Sequence, residues 1–130
     1  MARRWGETSP VEEVVFIYTT WPDAETADAA ALEAVERGLA ACANRFAPVR
    51  ATYRWEGRIE TGEETPLTFK TTAARAPALK ALILERHPYD LPAILALPVS
   101  AELSHGAFVE WIAGNSAPSG GSPREAGEGG

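Results

Sequence analysis

The sequence predicts an α+β sandwich, in which helices cover one face of a β-sheet. Segments of β-branched or alternating residues are separated by segments with helical spacing, in the order strand, helix, strand, strand, helix, strand, helix. Hydrophobic residues make up 45% of the 130 residues, enough for one core, but 24 of them are alanine. We therefore expect one domain. Its layers should pack closely, because each alanine buries little area, at roughly 25 cal/mol per Å², and contributes only when the layers lie close together.

The first strand and the first helix have clear boundaries. Residues 14–20, VVFIYTT, are all β-branched or aromatic, which favours a buried central strand. Pro22 ends this strand, and Asp23 is a suitable N-cap for the helix that follows. The inner face of that helix is mostly alanine, so it should lie close to the sheet, and Gly38 is placed to be its C′ residue.

A long hairpin is predicted from about residue 41 to residue 71. Apolar and polar side chains alternate from residue 49 onward and place Tyr53 and Trp55 on one face, and Gly57 marks the turn. Pro66 cannot donate to a ladder, so we expect it at a sheet edge or in a bulge. The large side chains of this hairpin would be exposed in a monomer, which predicts a closed homo-oligomer.

Three further elements complete the order. A helix is predicted over residues 78–86, a short apolar strand over 93–97, and a last helix over about 105–113 with Phe108, Trp111 and Ile112 on its apolar stripe. Two split β-α-β units in this order predict a ferredoxin-like βαββαβ sandwich with an extra C-terminal helix.

The two ends of the chain differ in composition from the middle. Residues 1–12 have no periodic apolar pattern, and residues 117–130 contain five glycines and two prolines. Such segments cannot form a core. We therefore expect a flexible N-terminal tail over 1–12, a domain over 13–116 and a disordered C-terminal tail over 117–130.

Charge and cysteine content narrow the location and the partners. The net charge is −6, and no basic run is present, so we expect no nucleic-acid partner. The longest apolar run is much shorter than the ~20 residues of a membrane span, so we expect no membrane association. No apolar segment follows Arg3 and Arg4, and one cysteine cannot form an internal disulfide. These features predict a cytoplasmic protein without a signal peptide.

A series of short motifs resembles a known family. The motifs are TTWPD at 19–23, GLAACAN at 38–44, YRWEG at 53–57, FKTT at 69–72, HPYDLP at 87–92 and ILALPV at 94–99. In this order and spacing, residues 14–113 resemble the CutA family of divalent-cation tolerance proteins. The resemblance implies a ferredoxin-like protomer, a homotrimer in which hairpins pair across subunits, and a cytoplasmic role in tolerance of copper and other divalent cations.

The sequence departs from the family at several positions. Thr19 stands where some members carry a cysteine, which removes a soft metal ligand. Asp90 stands where glutamate is usual, and Pro66 stands where members usually have a residue that can donate in the ladder.

The candidate metal ligands are Cys42, His87 and Glu64, which would hold Cu²⁺ or another divalent cation. Copper and zinc favour thiolate and imidazole, but no two such residues stand at a metal-binding spacing. A site would have to be assembled by the fold or across subunits. The alternatives are that Cys42 is a small buried residue in a strand and that His87 interacts with the negative end of a helix.

A second candidate is a polar pocket at family motif positions. Besides Glu64 and His87, it would be lined by Tyr53, Trp55, Glu56, Lys70, Tyr89 and Asp90. Aromatic rings beside a lysine and carboxylates are suited to a subunit-interface cleft for a small ligand or ion. The alternative is that Tyr53 and Trp55 form the interface core and that Lys70 makes a structural ion pair.

Catalytic motifs are missing from the sequence. It contains no Gly-x-Ser-x-Gly, no phosphate-binding loop and no zinc-hydrolase pair of histidines. A nucleophile at Cys42 would lie in an apolar strand, where its thiolate is disfavoured. We therefore expect a protein that is not an enzyme, has no organic cofactor and binds divalent cations. The alternatives are a PII-like trimer that senses a small molecule, against which the short turn at Gly57 counts, and a purely structural interaction module.

Overall fold

The computed structural model describes residues 13–116 and confirms the ferredoxin-like α+β sandwich. The predicted tails at 1–12 and 117–130 lie outside the described residues. The elements in chain order are β1 (Val14–Trp21), α1 (Ala24–Glu36), β2 (Cys42–Arg45), β3 (Val49–Trp55), β4 (Arg58–Thr72), α2 (Ala76–Arg86), β5 (Ile94–Pro98) and α3 (Gly106–Gly114).

The sheet is antiparallel, with the strand order β2-β4-β1-β5. β1 lies between β4 and β5, so its predicted central position is confirmed. The 15-residue strand β4 has two halves: residues 65–72 pair with β1, while residues 58–64 pair with β3. Residues 49–64 therefore form a two-stranded hairpin arm that extends beyond the pairing with β1.

The first helix begins and ends as its sequence predicts. The Asp23 carboxylate accepts hydrogen bonds from the amide and the hydroxyl of Thr26, each at 2.8 Å. At the other end Gly38 has φ 73°, and the Gly38 and Leu39 amides donate to the carbonyls of Val35 and Ala34. This is a Schellman motif, which satisfies carbonyls that the helix leaves free.

The main core lies between one sheet face and helices α1 and α2. Its members are fully or almost fully buried: Val15, Ile17, Trp21, Ala27, Ala30, Ala34, Leu39, Ala40, Leu67, Phe69, Leu79, Leu82 and Ile83. Three alanines supply the buried positions of α1, which confirms that this helix packs closely on the sheet. α2 begins at Ala76, two residues earlier than predicted, because Pro77 is tolerated in the first turn of a helix.

Pro66 differs from its prediction. It lies inside β4, opposite Thr20 of β1, in an unbroken register. Its carbonyl accepts a hydrogen bond of 3.0 Å from the amide of Phe46, just past the end of β2 at Arg45. The amide and carbonyl of a strand residue point to the same side of the strand. The Pro66 nitrogen, which has no hydrogen to donate, therefore lies on the side of β2, at the point where the β2 ladder ends. A ladder end, rather than a sheet edge or a bulge, accommodates this proline.

Within residues 13–116, the second sheet face is covered at one end only. Val109 and Ile112 of α3 pack there against Val14 and Ala41. Of the predicted stripe, Ile112 is thus buried, whereas Phe108 and Trp111 are about half exposed. Beyond α3 the apolar side chains of this face, Tyr18, Leu95 and Leu97, are exposed in the protomer. None of the helices within residues 13–116 has the length and apolar character that a membrane span requires.

Candidate functional site

A cleft of about 450 Å³ lies between the hairpin arm and the segment after α2. Its walls are aromatic and its polar groups are carboxylates. The lining residues are Tyr53, Trp55, Glu60, Gly62, Glu63, Glu64, Tyr89, Asp90 and Leu91. The volume lies within the roughly 300–1,000 Å³ of small-molecule sites.

The register of the arm places Tyr53, Trp55, Glu60 and Glu64 on one face, while Glu63, the partner of Arg50, alternates to the other. Tyr53 is the cross-strand partner of Glu60, and Val49 is the partner of Glu64. Directly opposed residues in an antiparallel pair point to the same side, so Glu60 and Glu64 share the face of Tyr53. Glu56 and Gly57 form the turn with φ 51° and 79°, as in the two-residue turns that suit hairpins.

His87 fixes the opposite wall. Its ring is 7% exposed and lies 4.3 Å from the Trp21 ring and 4.9 Å from the Tyr89 ring, between centroids. Nε2 donates to the Thr20 carbonyl at 2.7 Å, and the Tyr89 amide donates to Nδ1 at 3.1 Å. A carbonyl only accepts and an amide only donates, so the ring proton is on Nε2. His87 therefore positions Tyr89 and has no free nitrogen for a metal in this arrangement.

The Thr19 hydroxyl completes the buried network beneath this wall. It accepts from Trp21 Nε1 at 2.7 Å and donates to the Leu67 carbonyl at 2.7 Å. Thr19, Trp21 and Leu67 are fully buried. Threonine at position 19 thus supplies a hydrogen-bonding role, and it holds the indole against which His87 packs.

The three predicted metal ligands do not come together in the protomer. Cys42 lies opposite Lys70, which lies opposite Phe16, whereas His87 contacts Thr20 four residues along β1. Four strand residues span about 13 Å. Within residues 13–116 no group of three or more Cys, His, Asp or Glu side chains is placed to hold a metal ion.

The predicted pocket is assembled in part. The cleft contains Tyr53, Trp55, Glu64, Tyr89 and Asp90, and His87 lies directly behind Tyr89.

Lys70 and Glu56 lie elsewhere. The Lys70 Nζ is 5.7 Å from the centroid of the Phe16 ring and 5.5 Å from that of Phe108, so this ammonium is placed over aromatic rings. Glu56 lies in the turn at the tip of the arm, outside the cleft lining.

The sequence reasoning missed Glu60, Glu63 and Leu91. The position of Glu60 could have been found from the sequence. Counting outward from the turn at Glu56 and Gly57 pairs Trp55 with Arg58 and Tyr53 with Glu60.

The potential of the cleft is negative. Within residues 13–116 its charged lining residues are all acidic, and no lysine or arginine is among them. The closest cation recorded for any of them in the described chain is Arg58, whose Nη2 lies 3.8 Å from Glu60 Oε2. Burial raises the pKa of the Tyr89 phenol, and the nearby Glu64, Tyr53 and Asp23 raise it further. The hydroxyl therefore stays protonated at neutral pH and faces an acidic environment that favours cations.

The fold and the cleft together define a small ferredoxin-like protein whose site is suited to a cation. A family model of the CutA1 divalent ion tolerance protein matches residues 15–115. The divalent-cation tolerance protein CutA of Thermococcus kodakarensis is 38% identical over 101 residues, which cover 78% of this chain and 94% of that protein. The chain belongs to the CutA1 family, and its role lies in divalent-cation tolerance.

Solved structures of relatives share the fold. The crystal structure of CutA1 from Oryza sativa matches with a TM-score of 0.77 and 30% identity, covering 85% of this chain and 99% of that chain. The structure of the periplasmic divalent cation tolerance protein CutA from Archaeoglobus fulgidus matches with a TM-score of 0.74 and 33% identity, covering 80% and 99%.

Proposed function

We propose that this protein acts in divalent-cation tolerance as a cytoplasmic homotrimer that binds divalent cations directly and catalyses no reaction. The observation that carries the proposal is the cleft, whose charged lining residues within residues 13–116 are all acidic. Carboxylate oxygens are suitable ligands for divalent ions. In the described part of one protomer three ligands do not converge, so water or a second subunit would complete the coordination.

Exposed apolar surface supports the homotrimer. Tyr18, Leu95 and Leu97 are exposed on the uncovered part of the second sheet face, and β5 is an edge strand. Open edges and apolar patches are aggregation hazards unless a partner covers them. A closed ring of identical chains would cover such a surface on every subunit.

Cu²⁺ is the ion expected to bind most tightly, although the cleft contains no copper-specific geometry. The general affinity order of divalent ions places Cu²⁺ above Zn²⁺ at oxygen and nitrogen sites. We therefore expect Cu²⁺ to bind tightest and other divalent cations to compete. The tight turn at Glu56 and Gly57 supports this function over a PII-like sensor, because it leaves no long loop at that end for contacting a target.

Calorimetric titration of the full chain with Cu²⁺ and Zn²⁺ tests the proposal. We expect the double variant Glu64→Gln with Asp90→Asn to bind Cu²⁺ at least tenfold more weakly, because two of the four cleft charges are lost. Glu102→Gln is the control, since this exposed carboxylate lies outside the cleft. Unchanged binding by the double variant, or equal loss in Cys42→Ala, would assign the cation to another site.

Fractionation tests the cytoplasmic location. We expect the full chain, expressed with its own N-terminus, to separate with a cytoplasmic marker. Release with the periplasmic contents would contradict the proposal and match the compartment named for the Archaeoglobus fulgidus protein.

A further inference from the structure

The aromatic side chains of the cleft are not explained by metal binding alone. Tyr53, Trp55 and Tyr89 are 42%, 48% and 45% exposed, and all three line the same cavity. A divalent metal ion is bound through oxygen, nitrogen or sulfur, and it does not require ring faces. Three half-exposed rings around one concave site therefore call for a ligand with apolar surface of its own.

The carboxylates specify the charge of that ligand. Glu60, Glu64 and Asp90 line the same cavity as the rings, and Glu60 and Glu64 share the face of Tyr53 on the arm. Burial, and after it the neighbouring Glu64, raise the pKa of the Tyr89 phenol, which is therefore neutral and able to donate at neutral pH. Aromatic faces attract organic cations within about 6 Å of the ring centroid, and carboxylates accept the N–H bonds of such cations. Rings and carboxylates in one cleft thus favour the same class of ligand.

A contact between a cation and aromatic rings already occurs elsewhere in this fold. Lys70 Nζ lies within 6 Å of the centroids of Phe16 and Phe108, so these rings already have a cation. No lysine or arginine of the described chain lines the cleft. Arg58 next to the cleft is paired with Glu60 at 3.8 Å, and within residues 13–116 no cation is recorded over the rings of Tyr53, Trp55 or Tyr89. These rings are therefore available to the cation of a ligand.

We propose that the cleft binds a small organic cation, a protonated alkyl amine or a guanidinium, with its carbon chain against the aromatic rings and its N–H groups on Glu64 and Asp90. The cleft volume of about 450 Å³ accommodates a molecule of this size. This inference rests on the proposed function only in using the same carboxylates, so an amine and a divalent cation compete for one site.

Calorimetry with two probes tests it, spermidine for amines and arginine amide for guanidinium. Wild-type protein at low salt should bind at least one of them. Tyr53→Leu and Trp55→Leu should each weaken that binding about tenfold, in line with cation–π energies, and weaken Cu²⁺ binding by a smaller factor. Phe46→Leu is the matched control, an exposed aromatic residue outside the cleft. Glu64→Gln should weaken both amine and Cu²⁺ binding.

Two results would overturn the inference. One is the absence of heat from both probes at millimolar concentration with a folded wild-type chain. The other is unchanged amine affinity in Tyr53→Leu, Trp55→Leu and Tyr89→Leu, measured on variants whose melting shows that they are folded. If light scattering then finds a reduced mass, the rings belong to subunit packing. Cu²⁺ binding without amine binding would leave the proposed function intact, and amine binding without Cu²⁺ binding would remove the proposed function and keep the inference.

Discussion

The hydroxyl of Thr19 links three buried parts of the molecule. It joins the Trp21 indole to the carbonyl of Leu67 across β1 and β4, and the same indole packs against His87. His87 in turn accepts a hydrogen bond from the amide of Tyr89, a residue of the cleft wall. A residue without any contact to the cleft lining therefore supports the position of that wall.

We predict that Thr19→Val lowers the free energy of unfolding by about 1–3 kcal/mol. The substitution keeps the shape of the side chain but leaves Trp21 Nε1 and the Leu67 carbonyl without their buried partner. Urea denaturation followed by circular dichroism measures the effect. Thr52→Val is the control because Thr52 is exposed on the arm. Equal midpoints for wild type and Thr19→Val would show that the network contributes nothing to stability.

The separation of two residues of the predicted pocket also has a cause at the scale of single residues. Lys70 and Glu64 are both on β4, but they are six residues apart, which corresponds to about 20 Å along an extended strand. The sequence shows both residues in family-like motifs, yet it does not show that one strand runs straight through both. Cross-strand register alone places Lys70 beside Phe16 and Glu64 beside Val49.

At the scale of elements, helix α1 could be predicted almost completely. Its N-cap, its alanine face and its C′ glycine are all local signals, and each acts through neighbours in the chain. The limits of the β4 ladders could not be predicted in the same way. They depend on where β2 and β1 end, and that is a property of the assembled sheet. The prediction that Pro66 lies at a sheet edge or in a bulge was wrong for this reason.

The N-cap of α1 predicts a pH dependence. Hydrogen bonds from the Thr26 amide and hydroxyl lower the pKa of the Asp23 carboxyl from 3.8. An acid with a lowered pKa in the folded state contributes stability above its unfolded pKa and loses it as the pH falls through the folded value. We expect the wild type to lose stability below about pH 4 relative to Asp23→Asn, which also caps but does not titrate. Thermal melts from pH 7 to pH 2 measure this, and parallel curves would contradict it.

The C-terminus of α1 predicts a backbone effect. Gly38 has φ 73°, a conformation that a side chain disfavours, so Gly38→Ala should lower the free energy of unfolding by about 1 kcal/mol. Gly62→Ala is the matched control, because a methyl group there would meet no atom within 4 Å and no left-handed φ is present. Denaturation midpoints compare the two variants. Equal loss in both would mean that the left-handed conformation is not the cause.

For the whole molecule, the sequence predicted the architecture, and it predicted the site in part. The order of elements and the alternation along the arm are enough to place Tyr53 and Trp55 on one face. They do not reveal that the segment after α2 forms the second wall. That wall depends on the bonds of His87 to Thr20 and Tyr89, which only the folded chain brings together.

The exposed apolar part of the second sheet face predicts the oligomeric state of the whole molecule. If a second subunit covers this surface, Leu95→Lys places a charge in the contact and should convert a trimer of three 13.9 kDa chains into monomers. The protomer should remain folded, because Leu95 is 61% exposed within it. Leu32→Lys is the matched control, since Leu32 is 62% exposed on α1, on the other side of the sheet. Light scattering at low micromolar concentration gives the mass, and a wild-type monomer or a trimeric Leu95→Lys variant would show that this face is not the contact.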